Sequence, residues 1–402
     1  MGFLDKALWH LFINKMKYIY LISLVILFNF CQEKSRLDDQ LVISHLIDPM
    51  QGERISLSQI IESIEVIQPN EMEIVAHVSN YFVYEEKLII IDNYKQKKVQ
   101  VFDTQGNHLF EIKASGAGPG QFKTPNLVRI NQVGDRILVY CSLTKKILQF
   151  DMNGNYIEET LINEIGLIGD FIERDKEIIF LNVMTVEADK RIGKLNLETY
   201  PIDKNISYFT NYPGQYIKVL SSKSQFFFGT HGSENFYFLD LYSSNIVKMD
   251  WNGNYSIQQF KFNENQLELN PEKIHNPVDI IDQLHISEPF HIGSHLNISQ
   301  SNLLIPIEKG MNAYGTIVFD TEKKTTKIIS TFEDGLEEIL PNQALSAPGD
   351  IYSQTAIINI DPDYAYEKII SMNLEQNEFT KKLKKLNTPN NQNPVFIIYH
   401  LK

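Results

Sequence analysis

The sequence predicts an all-β protein: a six-bladed β-propeller with mostly four-stranded antiparallel blades, its ring closed by N- and C-terminal strands. Three observations predict it. An acidic residue or Asn closes an apolar strand at positions 103, 151, 196, 250, 320 and 373, with gaps of 48, 45, 54, 70 and 53 residues. Periods of that length, with several strands per unit, suit propeller blades. An apolar run precedes each copy: Leu88–Ile91, Ile137–Tyr140, Glu177–Leu181, Phe236–Leu239, Leu303–Ile307 and Thr355–Ile360. Finally, 24 Phe and 19 Tyr, with frequent Ile and Val, favour strands. A small sheet cannot bury both faces alone, so neighbours must stack around an axis.

The chain begins with a leader. Met16-Lys17 opens a positive segment, Tyr18–Phe30 is a mostly apolar run of 13 residues, and Cys31 precedes the polar Gln32-Glu33-Lys34-Ser35. That is a signal-peptide layout. The run is short of the about 20 residues that a membrane-spanning helix needs. It resembles a bacterial lipoprotein signal, which implies cleavage before Cys31 and lipid attachment there. Asn29 and Phe30 stand where such signals have small residues, and the alternatives are cleavage elsewhere or an uncleaved anchor. The expected division is a leader over 1–31 with Met16 as initiator, a tether over 32–50 and a single propeller over 51–402. In each case the folded part is expected outside the cytoplasm.

After the short segment Leu57–Ile60, Ser63–Ile67 reads as a strand. It is expected to join the blade that holds the C-terminal strand Val395–Tyr399. Lys87–Phe122 then sets the pattern: a doubly buried strand at Leu88–Ile91, a second strand ending at Asp103, a tight turn, and a third strand at Leu109–Ile112. Gly116-Ala117-Gly118-Pro119-Gly120 follows, too glycine-rich for the interior of a helix or strand. A phosphate cradle would need a helix N-terminus behind it and a Lys directly after the last Gly. Pro119 and Thr124-Pro125 block a helix, and Gln121-Phe122 separate Lys123 from Gly120. The stretch therefore reads as a structural crossover, with Phe122 returning to apolar packing.

Asp-x-x-Gly-Asn recurs at 103–107, 151–155 and 250–254 and reads as a hairpin turn. A calcium loop would need Gly at its sixth position and Glu at its twelfth. Counted from Asp151 those are Tyr156 and Ile162. The long gap before position 320 holds an insertion near 263–295, with Pro271, Pro277 and Pro289. It reads as loop, as does 334–350 with Pro341 and Pro348. Loops on a propeller face are where function collects. Residues 381–393 read as an exposed polar connection.

A net charge of -13 argues against nucleic acid as a partner. Beyond Cys31 the one thiol is Cys141, in an apolar strand, which reads as buried and inert. His275, His285, His291 and His295 lie near Asp279 and Asp282, yet Pro289 and Gly293 oppose the helix that a pair of zinc ligands four residues apart would need. Neither a metal nor a cofactor is expected. No Gly-x-Ser-x-Gly elbow occurs. Asp92, Asn93 and Asn182 bound strands that could face the central channel. Tyr212, Tyr216, Phe290 and Tyr314 are candidates for stacking on sugars.

The residues also carry a resemblance. Ile55–Ile64, Val101-Phe102-Asp103-Thr104-Gln105-Gly106, Gly116-Ala117-Gly118-Pro119-Gly120-Gln121-Phe122 and Asn393-Pro394-Val395 resemble the six-bladed β-propeller lipoproteins of Bacteroidetes-type bacteria, relatives in architecture of NHL-repeat propellers. Gln121 replaces the usual Glu of that signature. The resemblance implies fold and envelope location, without a reaction. The expected function is an extracytoplasmic, lipid-anchored, monomeric binding module for a glycan, peptide or protein. The alternative is a propeller hydrolase or lyase with a metal-assisted site at the mouth of the channel.

Overall fold

The structure, a computed structural model, describes residues 42–56, 59–113, 115–183, 190–203, 206–209, 226–229, 233–239, 244–269, 277–299, 301–332, 355–363 and 391–402. The leader with Cys31, the segment 334–350, most of 381–393 and the register at Asn373 lie outside them. One unit of the chain spans Met1–Val42 and a second spans Ile43–Lys402. The second carries the fold.

Three strands come first: β1 (Val42–Ile47), β2 (Glu53–Ile55) and β3 (Ile61–Ile67). Blade 1 follows with β4 (Asn80–Tyr84), β5 (Lys87–Asp92), β6 (Lys98–Asp103) and β7 (His108–Lys113). Blade 2 holds β8 (Leu127–Ile130), β9 (Arg136–Cys141), β10 (Lys146–Asp151) and β11 (Tyr156–Leu161). Blade 3 holds β12 (Ile168–Arg174), β13 (Glu177–Asn182), β14 (Ile192–Asn196) and β15 (Ser207–Tyr208). Blade 4 holds β16 (Phe227–Gly229), β17 (Asn235–Leu239), β18 (Asn245–Asp250) and β19 (Tyr255–Phe262), with β1 added beside β19.

Blade 5 is built from β20 (Phe290–Ile292), β21 (Asn297–Ser299), β22 (Asn302–Lys309), β23 (Asn312–Asp320) and β24 (Thr325–Phe332). Both β20 and β21 pair with β22, and β2 runs parallel to β24 at the other edge. Blade 6 joins β25 (Thr355–Ile360), β26 (Val395–Leu401) and β3. Among the described residues these make six sheets, and the sequential strands within each pair antiparallel. The expected six-bladed propeller is the observed fold.

The core lies in the seams. Six apolar layers each combine side chains from two neighbouring blades. Strand β5 shows why its sequence is continuously apolar. Leu88 and Ile90 pack with Ile357, Phe396 and Ile398 of blade 6. Ile89 and Ile91 turn the other way, to Val128, Ile137 and Val139 of blade 2. Successive side chains leave a strand on opposite faces, so a blade sandwiched on both sides needs every position apolar. Removing one such side chain typically costs about 2–5 kcal/mol.

The recurrent acidic position ends the third strand of the blade. Asp103 Oδ1 accepts hydrogen bonds from the amides of Gln105 (2.9 Å) and Asn107 (2.8 Å), and Oδ2 accepts from Asn107 Nδ2 (2.8 Å). The same bonds recur at Asp151 and Asp250. The Asp-x-x-Gly-Asn carboxylate is thus consumed by its own turn. At Asp151 the Asn155 side chain and amide hold the carboxyl below its usual range. Gly106 sits at φ 80°, and a Cβ there would come within 2.0 Å of Gln68 O. Only glycine suits both the turn and that close approach.

The ring closes as expected. β26 pairs with β3 from Phe396↔Ile67 to Leu401↔Ile61. Asn393 staples the join: its Nδ2 donates towards the carbonyls of Pro69 (3.2 Å), Asn70 (2.9 Å) and Glu73 (2.7 Å), and its Oδ1 accepts from Val75 N (3.0 Å). Gln68 Nε2 adds a bond to Asn393 O at 2.9 Å. In blade 6 the third position from the axis belongs to β3, so Gln68 occupies the place taken by Asp103 in blade 1.

Two boundaries differ from expectation. The stretch read as a tether, 32–50, includes the strand β1, which is paired with blade 4. His45 stacks on Phe260 (5.0 Å), meets the edge of Phe319 (4.8 Å) and bonds Gln258 Oε1 (3.0 Å). The insertion near 263–295, read as loop, contains helix α1 (Pro277–Ser287) and β20. Ile280 and Leu284, one turn apart on α1, bury against Leu267 and Leu269 in a small satellite core. Pro277 at the first position is compatible with the helix it starts.

Candidate ligand-binding face

The inner strands meet around the axis. Arg129 of β8 directs Nε (3.0 Å) and a terminal nitrogen to Asp170 Oδ1 of β12. Asp170 Oδ2 accepts from the amides of Phe226 (2.6 Å) and Phe227 (2.9 Å) at the start of β16. Both side chains are buried. This clamp ties the inner edges of three blades together, and its carboxylate is saturated by protein donors. Neither residue was among the candidates from sequence. The only signal is a charge inside an apolar run, in Leu127-Val128-Arg129-Ile130 and Ile168-Gly169-Asp170-Phe171.

Glu173 lies three residues further along β12. It is buried, its Oε1 accepts from Lys176 N (2.6 Å), and Oε2 has no hydrogen-bond partner among the described residues. Burial pushes this carboxyl up to about 7, partly opposed by the Lys176 amide and Arg136, with Asp135 and Asp175 adding to the rise.

The polar residues expected at the channel mouth are not brought together. Asp92 is buried and caps its own turn, accepting from the amides of Tyr94 (2.9 Å), Lys95 (2.7 Å) and Gln96 (2.9 Å). Asn93 Oδ1 accepts from Ser79 Oγ at 2.7 Å. Asn182 is buried at the end of β13, two blades away from Asp92. Of the histidines, His275 lies outside the described residues and His285 is exposed on α1. His291 is buried in β20, its Nε2 2.9 Å from Gly310 O and its Nδ1 3.1 Å from Ile292 O. Among the described residues no three His, Cys, Asp or Glu side chains form a metal-holding group. Cys141 is buried.

The aromatic candidates divide similarly. Phe290 is buried between Phe262 (5.9 Å) and Tyr314 (5.0 Å), and Tyr314 OH donates to Met50 Sδ at 3.3 Å. Both serve packing. Tyr212 and Tyr216 lie outside the described residues.

A surface not singled out from sequence is formed instead where inner strands begin, on blades 1 and 2. Three connections meet there: 93–97 between β5 and β6, the crossover stretch 115–126 between β7 and β8, and 142–145 between β9 and β10. Thr124 Oγ1 bonds Asn93 O (2.9 Å), and Asn126 Oδ1 accepts from both Ser142 N and Ser142 Oγ (2.8 Å each).

The glycine signature is the middle of this ridge. Gly116 has φ 151°, and a Cβ on it would stand 2.6 Å from Gln121 Oε1. The amides of Ser115 and Gly116 bond Phe122 O (3.2 Å each), while Phe122 itself is buried in the seam between blades 1 and 2. Lys146 Nζ donates to Gly118 O (2.9 Å), Ala117 O (3.2 Å) and Glu159 Oε1 (2.7 Å). Glu159 Oε2 in turn accepts from Gly120 N at 2.8 Å. The crossover leads into a strand, so no helix N-terminus stands behind the glycines.

What the ridge exposes is Tyr94 (71 % exposed), Leu143 (67 %), Lys95, Lys97 and Lys123. His77 contacts the edge of the Tyr94 ring at 5.8 Å. A preformed backbone carrying exposed aromatic, apolar and cationic groups can hold a ligand without rearranging.

A family model described as "Domain of unknown function (DUF4934)" matches residues 43–400. Among curated proteins, none matches the sequence. The chain is similar in fold to a "putative exported protein" from Bacteroides fragilis, with 12% identity, a TM-score of 0.64, and 90% of this chain and 99% of that one covered. It is also similar to a member of the duf4221 family from Bacteroides vulgatus, with 10% identity, a TM-score of 0.48, and 85% and 97% coverage. The first likeness shows a shared fold.

Proposed function

The chain belongs to the DUF4934 family, and from that premise we propose that it is an extracytoplasmic binding module, tethered through a lipid on Cys31, that takes its ligand on the ridge of blades 1 and 2. The observation that carries this reading is the contrast between axis and ridge. At the axis, Asp170 is spent on Arg129 and two amides. On the ridge, Tyr94, Leu143 and three lysines stand out from a backbone fixed by its own hydrogen bonds. Loops on a rigid scaffold are the usual seat of recognition. The leader over residues 1–31 and the fold shared with a protein described as exported support a place outside the cytoplasm.

The test is a thermal-shift screen of envelope glycans, peptides and divalent ions against the chain and its Tyr94→Ala/Leu143→Ala variant. A ligand that raises the melting temperature of the parent and leaves the variant unmoved supports the reading. A ligand that stabilises both equally places binding elsewhere. Intact mass of the membrane-extracted protein tests the tether: an unmodified Cys31 excludes it.

A further inference from the structure

We propose that the ligand of this ridge is a carboxylate-bearing polysaccharide, an inference that rests on the binding-module reading and names its ligand class. The three connections 93–97, 115–126 and 142–145 contain four lysines and no Asp or Glu, in a chain whose net charge is -13. Lys95, Lys97 and Lys123 are exposed, and Lys145 is half-buried beside them, donating to Ile165 O at 3.3 Å. The carboxylates beneath are already occupied. Asp92 is held by three amides, and Glu159 by Lys146 and Gly120 N. These connections therefore present lysines without acidic side chains of their own, and such a patch attracts anions against the charge of the whole molecule.

The same hydrogen bonds separate a sugar from an acidic peptide. An extended peptide binds chiefly through main-chain hydrogen bonds. Here the amides of Tyr94, Lys95 and Gln96 are spent on Asp92, those of Ser115 and Gly116 on Phe122 O, and that of Ser142 on Asn126. The ridge offers side chains instead: a phenol ring open to solvent, flanked by cations. A sugar's apolar face fits the ring, and carboxylates on neighbouring sugars fit the lysines.

The test is affinity electrophoresis of the full chain through gels containing polygalacturonate, neutral dextran or polyglutamate, at low and high salt. Retardation by polygalacturonate alone, lost at high salt, is the expected result. Lys95→Glu/Lys97→Glu/Lys123→Glu should weaken it about tenfold or more, since three surface charge contacts reverse sign. Lys261→Glu/Lys309→Glu/Lys324→Glu, with the same change in net charge on other parts of the propeller, should leave it within about twofold. Tyr94→Ala should weaken binding several-fold at low salt. No retardation by polygalacturonate, or equal loss in both triple variants, overturns the proposal. Equal retardation by polyglutamate, insensitive to Tyr94→Ala, assigns the patch to acidic peptides and overturns it too. If a neutral glycan binds and only Tyr94→Ala abolishes that, the anionic class fails while the binding module stands. If no ridge variant alters binding of any ligand, both fail.

Discussion

Replacing Asn393 with alanine asks whether the ring is held shut by the staple at its join. The buried amide has two hydrogens, shared among the carbonyls of Pro69, Asn70 and Glu73, and one oxygen that accepts from Val75 N. A net contribution of about 1 kcal/mol per hydrogen bond, with a further penalty where a partner stays buried and unpaired, gives a loss of roughly 2–4 kcal/mol for Asn393→Ala. Asn393→Asp is the sharper variant. It is isosteric and keeps the acceptor for Val75, but it turns an anionic oxygen towards three carbonyl oxygens. At neutral pH it should cost at least as much as alanine. Part of the deficit should return on acidification, when the carboxyl regains a proton to donate. Urea midpoints at constant m read both losses. If both variants unfold within about 0.5 kcal/mol of the parent, the staple does not hold the join and the reasoning is wrong.

Deleting residues 41–70 removes β1, β2 and β3 and should abolish cooperative unfolding; a truncated chain that melts like the parent would rule out closure by β3. Asp170→Asn leaves Arg129 buried without its counter-ion and should lose about 3–5 kcal/mol by chemical denaturation; an unchanged midpoint would show the clamp to be idle. Burial raises Glu173 to about 7, above the about 4.3 of an exposed glutamate. The folded chain therefore holds the extra proton between those values, and stability falls as pH rises through that window, by about 2–4 kcal/mol in all. Glu173→Gln should remove this fall, so its urea midpoint should gain on the parent between pH 5 and pH 8; parallel pH profiles would refute the assignment.

The architecture was legible because its cause is local. Asp103, Asp151 and Asp250 each need Gly three residues on and Asn four on to complete one turn, and that demand writes itself into contiguous sequence. Doubly buried strands such as Leu88–Ile91 are equally plain. The clamp was not legible, because Arg129 and Asp170 are 41 residues apart and each is a lone charge in an apolar run. Nor was the sixth register. Reading downstream pointed to Asn373, whereas closure draws the third strand of blade 6 from the N-terminus and puts Gln68 in that place. In the insertion, three prolines suggested loop, and the Ile280/Leu284 pair that marks α1 was too short a pattern to outweigh them. The ridge is not legible in the sequence, because its lysines gain meaning only when three separate connections are bonded together.

The path of the first strands has a consequence for how the protein is made. Residues 42–67 run along blade 4, then blade 5, and finish inside blade 6. Every one of those partners is synthesised later, and the last, Val395–Leu401, is the final piece to emerge. Strand β3 must therefore wait, unpaired, through almost the whole of translation. Contacts separated by that much chain are slow to form, so maturation of the disc is gated by arrival of its final strand. Until then β3, its partner not yet made, is the part of the newborn chain most in need of shelter.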